Sequence, residues 1–120
     1  ELPSTPIERP SMRVTRDHAT GAVEVRIGGA GITHLGDGAT SRSRSEATTR
    51  VAPDDPAHAS IRGTNTAELR SPEHTVVAAA TGSIESDESS LHAAIDLEVT
   101  LDGAPFHARS WRRTYPRRLL

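Results

Sequence analysis

The alternation of apolar and polar residues, interrupted by turn-forming residues, is the feature that most limits how this chain can fold. Residues 95–101 show it most clearly, because every second residue is apolar and charged residues or threonine stand between. An Asp-Gly dipeptide follows at 102–103, which is typical of a tight turn between paired strands. We therefore predict a β-hairpin from residues 95–101 and 106–115, with Ile95, Leu97, Val99 and Leu101 facing inward.

Similar segments separated by glycine, proline and aspartate recur along the chain. Residues 12–27 are predicted to form a hairpin, and residues 58–69 and 75–86 two further strands. The glycines at 28–31 and 36–38 are predicted to end a short strand at 32–35 on either side. Residues 41–45 read as a polar loop, residues 46–51 as an edge strand, and "APDDPA" at 52–57 as a break. Several strands with turn signals at such intervals predict an all-β, jelly-roll-like antiparallel β-sandwich.

Two parts of the chain qualify this prediction. Residues 1–11 contain three prolines and are expected to form an extended lead-in, so the sandwich domain is assigned to residues 12–120. The alanine-rich run from Val76 to Ala80 could be helical by propensity, but the flanking Thr75, Thr81 and Gly82 favour a strand.

The composition predicts a weak hydrophobic core. Only 34% of the residues are hydrophobic and 2% are aromatic, which is below the usual apolar content of a globular domain. Burial of alanine, valine and threonine removes little apolar area per residue, so the gain over chain entropy is small. We therefore expect the domain to depend on a neighbour for stability.

Charge and hydropathy limit the partners. The net charge is −2, all 14 basic residues are arginine, and the two signs are interspersed, so we expect no nucleic-acid surface. The longest apolar run, Val76 to Ala80, is too short to span a bilayer, and no signal-peptide pattern opens the sequence. We expect a soluble, cytoplasmic protein without a membrane partner. There is no cysteine, which excludes disulfides and thiolate metal sites.

No motif for metal binding or nucleophilic catalysis is present in the sequence. Six histidines occur, at positions 18, 34, 58, 74, 92 and 107, but none has the close spacing of paired metal ligands, and we interpret them as surface or turn residues. The segment "TGSIES" at 81–86 lacks the second glycine of the Gly-x-Ser-x-Gly elbow. We therefore expect no catalytic residue, cofactor site or metal site in this chain.

Charged clusters also have simple structural interpretations. Asp54 with Asp55, and Asp87 with Glu88, lie in turns without the alternating oxygen ligands of a calcium loop. Asp96 and Glu98 lie on one strand face rather than opposed, as a glycosidase pair would be. The arginines around Trp111 either form an anion site with cation–π support or line a last strand whose tryptophan packs against a partner domain, and we favour the second interpretation.

The last forty residues resemble a known family. The aspartate-containing turn at Asp87, the strand from Leu91, the segment "HARSW" at 107–111 and "YPRR" at 115–118 resemble the end of the C-terminal β-sandwich of the X-prolyl dipeptidyl peptidase and cocaine esterase family of serine hydrolases. Earlier strands, including Asp55-Pro56, match more loosely. The chain departs from the family pattern at Leu91, where phenylalanine is usual, and at His107 and Tyr115.

The resemblance implies an accessory role. Members of this family carry their Ser-Asp-His triad in a separate α/β-hydrolase domain, so the expected partner is such a domain, in the same or another chain, and the sandwich would frame its substrate pocket. Trp111 and Arg109 are our candidates for anchors at that domain interface. Two alternatives stay open: a stand-alone carbohydrate- or ligand-binding module, and a homodimer formed through exposed sheet edges.

Overall fold

The computed structural model describes residues 4–118, with the side chains of residues 5–118, and every element in that range is a β-strand. The seven strands are β1 (Ser4–Arg16), β2 (Val23–Gly36), β3 (Ala39–Ala52), β4 (Asp55–Arg70), β5 (Thr75–Ser86), β6 (Ser90–Leu101) and β7 (Ala104–Pro116). The predicted all-β antiparallel class is confirmed. The run from Val76 to Ala80 belongs to β5, so the helical alternative is not realised.

The strands form one sheet in chain order, β1 to β7, and each pairs antiparallel with the next. In the described part of the chain, contacts between strands occur only between these sequential neighbours, so β1 and β7 are open edges and the sheet does not close. A sandwich needs two facing sheets. The second layer of the expected jelly roll is therefore not found among residues 4–118.

Tight turns set the register of the hairpins. At the β6–β7 turn, Asp102 and Gly103 have φ values of 51° and 81°, the left-handed pair that a two-residue hairpin loop requires. Asp37 and Gly38 do the same between β2 and β3, with φ values of 51° and 74°. The predicted pairing of residues 95–101 with residues 106–115 is confirmed, with Ile95 opposite Trp111 and a register shift beside Phe106.

Two segments that the sequence analysis treated as breaks are strands. The glycines at 28–31 lie inside β2, which continues to Gly36, and the polar residues 41–45 pair within β3, an interior strand rather than an edge. A Cβ at Gly28 would lie 3.2 Å from the backbone oxygen of Ser45 on β3, closer than side-chain carbons usually approach, so a residue without a side chain lets the two strands pair closely. The glycines thus allow close strand approach instead of ending the strand.

The segment that was expected to form an extended lead-in belongs largely to the sheet. From Ser4 onward it is part of β1, paired to β2 with register shifts between Pro6 and Glu8 and between Glu8 and Ser11. Residues 1–3 lie outside the described residues. Prolines suit this position because an edge strand can lack ladder donors on its outer side.

The sheet has no hydrophobic core of its own. Ala22, 2% exposed, is the one buried residue among those whose side chains are described. The accessible surface is 9043 Å², whereas a compact protein of this mass exposes roughly 6,300 Å². The radius of gyration is 18.1 Å, against about 13.6 Å for a compact domain of this length. The described chain is therefore a single layer in which each strand is covered only along its edges, by the neighbouring strands.

Candidate functional site

The two faces of the sheet differ in chemistry, and the register of the strands assigns every paired residue to one of them. One face, here called the apolar face, is defined by the regularly paired stretches between register shifts. It carries the odd-numbered residues of 23–33 in β2, 41–51 in β3, 61–69 in β4, 91–101 in β6 and 107–115 in β7, and the even-numbered residues of 76–86 in β5 and of 12–16 in β1. The opposite set forms the polar face. Hydrogen bonds such as that from Ser110 to Asp96 join residues of the same set, which agrees with this assignment.

The polar face is lined by ion pairs. Arg112 Nη2 lies 3.0 Å from Asp96 Oδ1 across the β6–β7 pair, and Arg26 Nε lies 2.7 Å from Glu24 Oε1. Further pairs on this face are Arg50–Glu24, Arg44–Glu8, Arg62–Glu85 and Arg70–Glu68. Exposed pairs of this kind add little stability each. Their effect is to keep this face polar and hydrated.

The apolar face is uncovered. Its large side chains are exposed by 73% at Met12, 61% at Val14, 51% at Ile27 and 48% at Ile95. Eight of the eleven exposed large hydrophobic residues lie on it, so the exposure is concentrated rather than scattered. Exposed apolar side chains grouped on one face are typical of interaction surfaces.

Carboxylates are excluded from the apolar face. None of its regularly paired positions in β1–β7 carries aspartate or glutamate, whereas the polar face carries seven such residues. The seven are Glu8, Glu24, Glu46, Glu68, Glu85, Asp96 and Glu98. Arginine, by contrast, is present on both faces, so the apolar face is purely cationic where it is charged.

The predicted anchors lie together on the apolar face, at its β7 edge. The Arg109 guanidinium carbon lies 4.7 Å from the centre of the Trp111 ring, a cation–π contact. Trp111 is half-buried by its neighbours and not fully buried within the described chain. The large stability loss expected for a buried ring therefore does not apply to the chain alone. A domain interface at these two residues stays a prediction.

Three of the six histidines pair with aspartates at hairpin ends. Distances of 2.8 Å join His58 Nδ1 to Asp55 Oδ1, His74 Nδ1 to Asp102 Oδ2, and His92 Nε2 to Asp87 Oδ2. Each pair is exposed and closes or bridges a turn. Across residues 4–118, no group of three or more histidine, aspartate or glutamate side chains is placed to hold a metal ion.

These contacts shift several pKa values. The hydrogen bond to Asp55 raises the pKa of His58 above its ordinary value. The hydrogen bond from His92, with backbone N–H groups of Ser89 and Ser90, holds the pKa of Asp87 well below its usual range. The pKa of Asp102 is lowered by His74 and by the N–H of Thr75. The Asp55, Asp87 and Asp102 carboxylates in these contacts lie at turns. On the polar face, hydrogen bonds from Ser110 and Arg112 lower the pKa of Asp96.

One of these pairs extends into a carboxylate–imidazole–hydroxyl chain, which the sequence analysis missed. His92 Nδ1 lies 3.2 Å from Thr114 Oγ1 while its Nε2 faces Asp87. However, Asp87 Oδ1 also accepts hydrogen bonds from the backbone N–H of Ser89 and Ser90. The carboxylate therefore closes the β5–β6 turn, and the chain of contacts ties that turn to β7.

Each face also carries an open depression of about 490 Å³. On the polar face, the short side chains of Thr64, Thr81 and Ser83 lie between the pairs Arg62–Glu85 and Asp96–Arg112. On the apolar face, Trp111 and Tyr115 border a hollow over Ile95 and Leu97. The aromatic rings and the hydroxyl-rich floor thus lie on opposite faces.

The described residues include no helix, and hence no helical segment of the length and hydropathy that crossing a membrane requires. Comparison with family models, with curated proteins and with solved structures finds no match for this chain. The relation to the hydrolase family suggested by the C-terminal residues therefore stays a prediction. The uncovered apolar face is the structural feature that bears most directly on function.

Proposed function

We propose that this chain is a non-catalytic accessory β domain of a serine hydrolase of the X-prolyl dipeptidyl peptidase and cocaine esterase type, which packs its apolar face on the catalytic domain and frames the substrate pocket. The observation that carries the proposal is the uncovered apolar face. A sheet must bury its apolar side against another layer to be stable, and no layer in the described chain does so.

The size of the uncovered surface supports a permanent contact. The chain exposes about 2,700 Å² more than a compact protein of its mass. Obligate interfaces bury about 1,000–2,500 Å² on each partner, so the excess is large enough to supply one side of such an interface. A partner domain on the apolar face would also supply the second layer of the expected sandwich, and the face would then become the core between two layers.

The residues that carry the family resemblance have structural roles consistent with the proposal. The segment 107–111 lies in β7 and places Arg109 and Trp111 on the apolar face. Arg117, in the Pro-Arg segment that follows, donates from Nη1 to the backbone carbonyls of Ala57 and Asp87 at 2.9 and 3.0 Å. It therefore fixes the end of β7 to two turns and holds the edge of the face in place.

The first experiment reads the coding sequence on both sides of this segment and in adjacent reading frames. The proposal predicts a serine hydrolase domain with a Gly-x-Ser-x-Gly elbow, in the same chain or in a cytoplasmic partner. The pure chain should not turn over chromogenic ester or X-Pro substrates. Turnover that resists serine-directed inhibitors would contradict the proposal, and the lack of any hydrolase in the flanking sequence would exclude a hydrolase domain in the same chain.

The second experiment tests the face itself, by co-elution of the chain with that hydrolase domain in size-exclusion chromatography. Leu97→Gln changes the apolar face, and Glu98→Gln changes the next residue, on the polar face, to the same side chain. We expect the first variant to weaken co-elution and the second to leave it intact, with far-UV circular dichroism confirming that both are folded. Equal behaviour of the two variants would show that the apolar face is not the contact.

A carbohydrate-binding module is the second candidate function. The observation in its favour is the hollow between Trp111 and Tyr115, because exposed aromatic rings stack on sugars. A glycan array with the isolated chain separates the two candidates. Reproducible binding that is lost in Tyr115→Ala supports the module, whereas no binding supports the accessory domain.

A further inference from the structure

We propose that the surface covering the apolar face carries carboxylates opposite Arg109 and Arg113, and is therefore an acidic-edged protein surface rather than a second copy of this chain. The inference rests on the proposed function for the identity of the partner, the hydrolase domain. It adds the chemistry of that partner and the residues that recognise it.

The two arginines are presented on the apolar face without acidic neighbours. Arg113 lies opposite Ala93, and Arg109 lies opposite Leu97. Within residues 4–118, neither guanidinium lies within ion-pair distance of a carboxylate, whereas Arg112 of the same strand points to the polar face and pairs with Asp96. β7 thus contains one satisfied arginine and two arginines directed toward whatever covers the face.

Stacking prepares Arg109 for this role. Its guanidinium lies over the Trp111 ring, 4.7 Å from the centre, so the side chain is held along the apolar surface. A stacked guanidinium can still donate from its N–H edge, and its planar fork matches a carboxylate in a bidentate pair. Ordering the side chain before binding reduces the entropy lost when the contact forms.

Covering the face would take these charges out of water. A desolvated charge without a partner strongly destabilises an interface, and a carboxylate with good geometry offsets that penalty. The partner must therefore combine an apolar centre, facing residues such as Ile95 and Leu97, with acidic groups at the side that meets β7.

A second copy does not meet this requirement. Stacking two apolar faces about a two-fold axis covers four such arginines, and whichever strands face each other, no regularly paired position of either face supplies a carboxylate. A dimer formed by pairing two β7 edges also lacks carboxylates for these arginines, because residues 104–116 contain three arginines and no acidic residue. The β1 edge is interrupted by Pro6, Pro10 and two register shifts. The charge pattern thus argues against the homodimer through sheet edges.

The test measures the dissociation constant of the complex between the full chain and the hydrolase domain. Arg109→Gln and Arg113→Gln should each raise it roughly thirty-fold or more, as loss of one member of a buried pair does. Arg112→Gln is the matched control on the polar face and should leave it unchanged. Equal effects of the three variants, or none, would overturn the inference while the complex itself would still support the proposed function.

A second arm does not require the hydrolase domain. Trp111 is the sole tryptophan, so its fluorescence reports on the apolar face. We expect a peptide of alternating valine and glutamate to change Trp111 emission at lower concentration than its valine-lysine counterpart, with the difference reduced in the Arg109→Gln/Arg113→Gln double variant. Equal binding of the peptides, or a stable dimer in sedimentation, would overturn the inference; selective acidic binding would support it even if no hydrolase were found.

Discussion

At the scale of single residues, the position of Trp111 decides how its contribution should be measured. Its ring is half-buried between sheet neighbours and Arg109, so part of its apolar surface still faces water. Under the proposed accessory role, the free energy that it contributes is therefore divided between the folding of the chain and the binding of the partner domain. Substitution should reveal both parts if the two are measured separately.

We expect Trp111→Ala to lower the free energy of unfolding of the isolated chain by about 1–2 kcal/mol, less than the 3–5 kcal/mol typical of a fully buried ring. Urea titration followed by circular dichroism measures this difference. Phe106→Ala is the control, because Phe106 is 69% exposed at the register shift and should change stability by no more than about 0.5 kcal/mol. A loss above about 3 kcal/mol for Trp111→Ala would show that the ring is buried in the isolated chain.

Asp87 should make the stability of the chain depend on acid pH. Because its pKa is lowered in the folded chain by His92 and two backbone N–H groups, its stabilising contribution is complete above the unfolded value of about 3.9 and is lost as the pH falls through the folded value. Asp87→Asn should therefore lower Tm at pH 7 and have progressively less effect below about pH 4.

Asp54→Asn serves as the control, since it is the neighbouring Asp55 that pairs with His58, whereas no side-chain hydrogen bond or ion pair of Asp54 is found within residues 4–118. Its Tm should follow that of the unmodified chain at every pH. A Tm difference for Asp87→Asn that stays constant from neutral to acid pH would mean that the carboxylate charge is not the stabilising element. His58, whose pKa is raised, works in the opposite sense, because its contribution is lost as pH rises.

At the scale of elements, turn chemistry and strand alternation specify the hairpins. The Asp102-Gly103 turn needs two successive left-handed residues, which few residues other than glycine, asparagine and aspartate adopt. The same alternation continues through the polar segment at 41–45, where serine faces one side and arginine the other. The two-residue alternation thus continues even where the residues are not hydrophobic. This alternation is the signal by which the whole of β3 could have been predicted from the sequence.

Gly103→Ala should lower the free energy of unfolding by about 1 kcal/mol, because alanine is strained at a φ of 81°. Gly82→Ala is the matched control within β5. A Cβ there would lie 3.7 Å from the backbone oxygen of Ala94, an ordinary contact. Alanine at position 82 should therefore be neutral or slightly stabilising. Urea titration of both variants checks this, and equal losses would show that the turn conformation is not limiting.

At the scale of the whole molecule, a seven-stranded sheet with one uncovered apolar side should be only marginally stable alone. We expect thermal unfolding of the isolated chain below about 65 °C, the upper end for mesophile domains, and binding of a hydrophobic dye to the folded chain. A saturating partner domain should raise Tm, since it binds only the folded state, and should abolish dye binding.

Scanning calorimetry with and without the partner measures this dependence. A cooperative transition well above about 65 °C for the isolated chain, with no dye binding, would show that the apolar face is covered without a partner. That result would contradict both the single-layer arrangement and the accessory role.

The sequence by itself determined the local elements. Period-two alternation and Asp-Gly or proline-containing turns predicted strands at 12–27, 58–69, 75–86 and 95–115, because these signals act between residues close in the chain. The sequence analysis was wrong at the glycines of 28–31, because the close approach of Gly28 to Ser45 of β3 involves a partner more than fifteen residues away along the chain.

Only the tertiary structure decided how the elements are arranged. Alternation shows that each strand has two faces, but it is the register of all six pairings that places the apolar sides on one face, whose regularly paired positions in the described strands carry no carboxylate. A sandwich and a single meander share the same strand pattern and differ only in which strands pair. That choice depends on contacts across the whole chain, and here sequential pairing leaves the apolar face uncovered among the described residues.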